Sequence, residues 1–177
     1  MLPNSWKASL HQLLNRRTAE TRVAIVGIGN TLRSDDAAGV LAVRALMRSR
    51  LMPDLKTVFV MDAGHAPENT TGELRTFAPD LVLLIDAAEM GEMPGSIHWI
   101  EMDEIEGMSA STHSLPLSAL AGYLNWELKC EVTLLGIQPA SNDVGEMVSP
   151  EVLRAVNVIV SEITEALSTN LLPQIPA

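Results

Sequence analysis

Apolar residues along this chain fall into two alternating patterns. Val23-Ala24-Ile25-Val26 and residues 81–85 are short apolar runs without polar alternation, as expected of strands buried on both faces of a parallel sheet. Residues 57–61 and 131–137 read as further strands, and residues 96–101 as one at the sheet edge. Between them lie stretches with helical spacing. Val40, Leu41, Val43 and Leu46 mark a helix over residues 36–50, and Pro116 opens one over 116–128. Residues 70–79 read as a short helix or an irregular connector, and Val152, Leu153, Val156, Ile159, Val160 and Ile163 mark a last helix over 149–167. This alternation predicts an α/β fold, a three-layer sandwich with a twisted, mostly parallel sheet flanked by helices.

The two ends of the chain stand apart from this pattern. In residues 1–20, Trp6, Leu10, Leu13 and Leu14 share one helical face, Asn4 or Ser5 can cap it, and Arg16 and Arg17 lie near its end, where cations suit the helix dipole. This segment is expected to be an N-terminal helical extension packed on the domain surface, with a dimer or partner contact as the alternative. Residues 21–168 are expected to form a single α/β domain, and 169–177, with Pro173 and Pro176, a loose tail.

Composition narrows the function. A net charge of −10 disfavours nucleic acid and anionic membrane surfaces as partners. No apolar run is long enough to span a bilayer, and MLPNSWKASL lacks a basic region followed by an apolar core, so a cytoplasmic protein without membrane insertion is expected. The single cysteine, Cys130, excludes an intrachain disulfide and a cysteine-only metal cage. With no motif around it, it reads as a core or surface thiol and not as a nucleophile.

Candidate chemistry gathers after the strands. Gly27 and Gly29 permit a tight turn after the first strand, and Asn30 tolerates positive φ. A dinucleotide fingerprint would need a third glycine at position 32, where this chain has Leu32. Ser34, Asp35 and Asp36 stand at the helix entrance as potential caps, and two carboxylates there would repel a phosphate and attract a cation. On residue type alone, both aspartates simply cap the helix. The second strand runs into Asp62 and the third into Asp86, which matters because open parallel sheets bind ligands beyond the carboxyl ends of their strands. His113 lies in a small polar loop before Pro116, a place where a lone histidine is more often a surface or capping residue than a ligand.

The set Gly29-Asn30 with Asp35-Asp36, residues 62–69 (DAGHAPEN), Ile85-Asp86-Ala87, Ser111-Thr112-His113 with Leu115-Pro116-Leu117, and Leu135-Gly136-Ile137-Gln138-Pro139 resembles the nickel-iron hydrogenase maturation endopeptidases. Within that family it is most similar to the type that processes the large subunit of the formate-hydrogenlyase hydrogenase (hydrogenase 3). The likeness is collinear over roughly residues 23–167. It implies a metal-dependent endopeptidase that removes a C-terminal extension from the hydrogenase large-subunit precursor after nickel insertion. The nickel is implied to arrive with the precursor and to be recognised by Asp36, Asp86 and His113, which serve as both catalytic and metal residues. Two carboxylates and an imidazole suit nickel or zinc and leave coordination positions open. The chain departs from the family at Ala37 and Ala63, where glycine is common. His65 is a further possible ligand or a partner of one, and the helix over 1–20 precedes the family's usual start.

Two other readings compete with this one. A noncatalytic nickel-sensing chaperone or binding module for the same large subunit could use the same three side chains, and cleavage of a nickel-loaded precursor separates the two. A dinucleotide-binding protein is opposed by Leu32 and the acidic helix entrance. The expected partner is the large-subunit precursor, and the expected assembly a monomer or homodimer.

Overall fold

The computed structural model of the chain describes residues 5–18, 20–50, 56–101, 104 and 116–169. Helix α1 (Trp6–Asn15) is capped by Ser5, whose side chain accepts from the Ala8 N–H, and it is followed by strand β1 (Val23–Ile28). A 3-10 turn, Ser34–Ala37, leads into α2 (Ala38–Arg48), and β2 (Val58–Gly64) comes next. The connector expected over 70–79 is a 3-10 turn, Pro67–Thr70, running into α3 (Thr71–Phe77). Strands β3 (Leu81–Ala87) and β4 (Ile97–Glu101), helix α4 (Leu117–Leu128), strand β5 (Glu131–Ile137) and helix α5 (Pro150–Thr169) complete the order.

Among the described residues the strands form one sheet in the order β2-β1-β3-β5-β4. β2, β1, β3 and β5 are parallel, and only the edge strand β4 is antiparallel, paired to β5. The α/β sandwich expected from the sequence is therefore the observed fold.

Burial on both sheet faces explains why the strand runs do not alternate. Val23, Ile25, Leu83 and Ile85 pack with α1, α2 and α5 on one face. Ala24, Val26, Val82 and Leu84 pack with Leu74 of α3 and with Leu120 and Leu124 of α4 on the other. Leu10, Leu13 and Leu14 place α1 in the first of these cores. Leu153, counted among the apolar positions of the last helix, is instead exposed. Of the tail expected over 169–177, residues 170–177 lie outside the described residues, as does the 111–115 segment, His113 included.

Close backbone approach sets α2 over the sheet. A Cβ on Gly39 would lie 1.9 Å from the Ile85 carbonyl oxygen and 2.4 Å from that of Ile28. Only glycine lets the first turn of α2 rest on the carboxyl ends of β1 and β3 together.

Candidate active site

The segment joining β1 to α2 is built from constrained backbone. Gly29 has φ +140°, and a Cβ there would meet the Asp36 carbonyl oxygen at 1.8 Å. Ser34 holds φ +40°, an uncommon conformation for a residue with a Cβ. Non-glycine residues in that region cluster where function tolerates strain. The turn that carries Asp36 packs on β3.

Neither aspartate caps the helix, contrary to the simplest expectation. No side-chain cap bond is made at the start of the 3-10 turn or of α2. Asp35, fully buried, turns away to residues 140–149. Its Oδ2 accepts from the N–H groups of Ala140 (2.8 Å) and Ser141 (3.2 Å), and its Oδ1 from that of Ser149 (2.6 Å). Asp36, 3% exposed, points elsewhere, and its Oδ2 accepts from the Asn30 N–H at 2.9 Å. Asn30 Oδ1 in turn accepts from the Leu32 N–H at 3.0 Å.

Asp86 is 1% exposed and pairs in register with Gly136 of β5. It directly follows Ile85, the residue on whose carbonyl Gly39 rests. Asp36 and Asp86 are thus both buried at the carboxyl end of the parallel sheet, beside the start of α2. Open parallel sheets take ligands beyond the carboxyl ends of their strands, and carboxylates at that end suit a cation.

The third acid at a strand end has another task. Asp62 Oδ2 accepts from Arg44 Nε at 2.7 Å and its Oδ1 from the Gly64 N–H at 3.0 Å, which ties α2 to β2. His65 is exposed. Among the described residues no group of three His, Cys, Asp or Glu side chains is placed to hold a metal ion.

Two organising residues were not legible beforehand. One is Asp35. The other is Gln138, buried just after β5, whose Oε1 accepts from Met90 N–H at 2.7 Å and Glu92 N–H at 3.2 Å. Its Nε2 donates to Glu89 Oε1 at 2.8 Å. Gln138 thereby fixes the loop that follows Asp86. The signals in the sequence were its place next to Pro139 at a strand end and its membership of the Leu135-Gly136-Ile137-Gln138-Pro139 motif.

Cys130 lies at the other end of the sheet. It immediately precedes β5, whose first residue Glu131 pairs with Leu81 at the start of β3. A strand of this length spans roughly 20 Å. The thiol is buried, its Sγ lies 3.5 Å from the Leu124 carbonyl oxygen, and burial pushes its pKa up.

The model of the HycI family, described as hydrogenase maturation protease, matches residues 40–166. The chain belongs to the hydrogenase maturation protease family. The match takes in Asp86, while Asp36 precedes it. The hydrogenase 3 maturation protease of Escherichia coli K12 is 38% identical over 113 residues, covering 63% of this chain and 69% of that protein. The crystal structure of a [NiFe] hydrogenase maturation protease HycI from Thermococcus kodakarensis superimposes with a TM-score of 0.78 at 31% identity, over 89% of this chain and 99% of that one. The hydrogenase maturating endopeptidase HybD of Escherichia coli gives a TM-score of 0.71 at 25% identity, over 85% and 94% of the two chains. As a maturation protease the chain is a hydrolase. Among its described residues no helix is long and apolar enough to cross a membrane.

Proposed function

We propose that this maturation protease removes the C-terminal extension of the nickel-iron hydrogenase large-subunit precursor once nickel has been inserted, and that Asp36, Asp86 and His113 recognise the metal. The observation that carries the reading is the burial of Asp36 and Asp86 beside one helix start at the carboxyl end of the sheet, in a chain of this family. The nickel belongs to the substrate. Oxygen donors from two aspartates and nitrogen from an imidazole fit a divalent ion of intermediate hardness and leave positions for the precursor's own ligands.

Each residue of the chain has a definite task in this reading. Asn30 orients Asp36 through its N–H, and the β3–β5 ladder orients Asp86. A cation delivered by the precursor compensates the negative charge of the two carboxylates. A precursor without metal brings no such compensation and docks weakly. The substrate's metal supplies Lewis acidity toward the scissile carbonyl or toward a water. Cys130 does not take part, because it sits at the amino end of the strands.

The test is processing of nickel-loaded precursor by Asp36→Asn, Asp86→Asn, His113→Ala and Cys130→Ser, with thermal stability measured alongside. The first three are expected to lose processing by at least about a hundredfold at near wild-type Tm, and the last to process normally. Wild-type rates from any of the first three would remove that residue from the site.

A further inference from the structure

Leu32, Val144 and Met147 are 71%, 72% and 90% exposed. Isolated apolar side chains on a surface need no explanation, but these three stand on two loops fastened to each other. The Gly145 N–H donates to the Leu32 carbonyl at 3.0 Å, Ser34 Oγ to the Met147 carbonyl at 3.0 Å, and Arg33 Nε to the Asn142 carbonyl at 3.2 Å. Beneath these bonds, Asp35 grips Ala140, Ser141 and Ser149. The loops are held from several points, so the apolar side chains are kept outward.

The first of these loops runs directly from Asn30 into the turn that carries Asp36. The apolar rim is therefore continuous along the chain with the turn that carries Asp36. The exposed charges on the second loop are Asp143 and Glu146, whose carboxylates lie 3.2 and 3.0 Å from Ser141 Oγ. Against the one half-buried cation of the first loop, Arg33, these two acids and the chain's net charge of −10 leave the rim net negative.

We propose that Leu32, Val144 and Met147 form an apolar collar that docks a segment of the large-subunit precursor with apolar side chains bordered by lysine or arginine. The collar rests on the function proposed above and adds to it the surface that holds the protein substrate apart from its metal. Apolar area removed from water on docking strengthens binding of substrate and transition state alike, so the effect falls on KM and not on kcat.

The test compares wild type with Leu32→Ser/Met147→Ser, Val144→Ser and the conservative Leu32→Ile/Met147→Leu. It measures KM and kcat on nickel-loaded precursor, a direct binding titration of that precursor, and Tm. The double serine variant is expected to raise KM and weaken binding by at least about tenfold, with kcat within about twofold and Tm unchanged, since the positions are exposed. Val144→Ser is expected to move KM the same way by a smaller factor, and the conservative pair to restore wild-type values. Unchanged KM and binding in the double variant overturn the collar while leaving the peptidase reading intact. A wild-type KM indifferent to ionic strength removes the basic border. If wild type binds the precursor without shortening it, the peptidase reading fails, and loss of binding in the double variant still upholds the collar. Absence of binding by wild type overturns both.

Discussion

Asp35 Oδ1 accepts a 2.6 Å hydrogen bond from the N–H of Ser149, a residue at the far end of the loop that follows β5. With the two bonds to its Oδ2, one buried carboxylate serves three backbone donors. Adjacent aspartates thus have different partners: Asp35 holds the 140–149 loop, and Asp36 accepts from the Asn30 N–H.

Asp35→Ala is accordingly expected to act on stability. Removing an ionised acceptor leaves buried N–H groups without a partner, at a cost of about 3 kcal/mol after loop relaxation. For a chain of this size that lowers Tm by roughly 6–12 °C. Thermal unfolding checks it, with Asp36→Asn as the control expected to stay near wild type. A Tm for Asp35→Ala within about 2 °C of wild type would contradict the assignment.

Gly39→Ala tests the seating of α2. The added methyl group cannot fit 1.9 Å from the Ile85 carbonyl oxygen, so α2 has to lift. Overpacking of this kind costs about 1–3 kcal/mol, and here it would also shift the turn holding Asp36. Lower Tm together with slower processing is the expected pair of results, read from denaturation and from a precursor assay. Normal values of both would mean the helix has room that the backbone contacts deny.

The thiol of Cys130 is expected to be inert in the native protein. Burial is the main cause of its raised pKa, which lowers the thiolate fraction at neutral pH, and the residue is almost fully buried. Reaction with a disulfide reagent at pH 8 should be slow in buffer and immediate in denaturant. Rapid labelling of the folded protein would contradict this.

How α1 is fastened predicts a pH dependence. Hydrogen bonds from Lys7 and then His11 hold the Glu162 carboxyl of α5 below the usual glutamate range. A depressed folded pKa means the unfolded chain binds the proton more readily. The stabilisation is therefore complete above the ordinary glutamate pKa of about 4.3, and it is lost as pH falls through the folded value. Because Lys7 is substantially exposed, the pair is worth only about 0.5–1 kcal/mol. Urea titrations of wild type and Glu162→Gln should differ by that amount at pH 7 and converge in acid. A constant difference across pH would rule out the carboxylate as the source.

Much of the fold could be read from the pattern because its strands are buried on both sides. Runs such as Val23-Ala24-Ile25-Val26 and residues 81–85 have no polar position to offer, which fits strands covered on both faces. The motif set led to the family that the comparisons then showed. Local reasoning failed where the partner was distant. Asp35 and Ser149 are 114 residues apart, so an aspartate before a helix looked like a cap when its acceptor atoms were committed elsewhere. The 140–149 loop has no periodicity, and its position against residues 30–36 follows from cross-loop bonds that no local pattern announces. Leu153 failed for the opposite reason: it sits one position off the buried stripe set by Val152, Val156 and Ile159.

The central claim is that this protease reads nickel in its substrate. The most direct measurement incubates the purified protein with large-subunit precursor, loaded with nickel or free of it, and follows the change in size on a gel. Shortening of the loaded form alone, abolished by Asp86→Asn, is the predicted result. Equal shortening of both forms, or of the loaded form by Asp86→Asn at the wild-type rate, would contradict it.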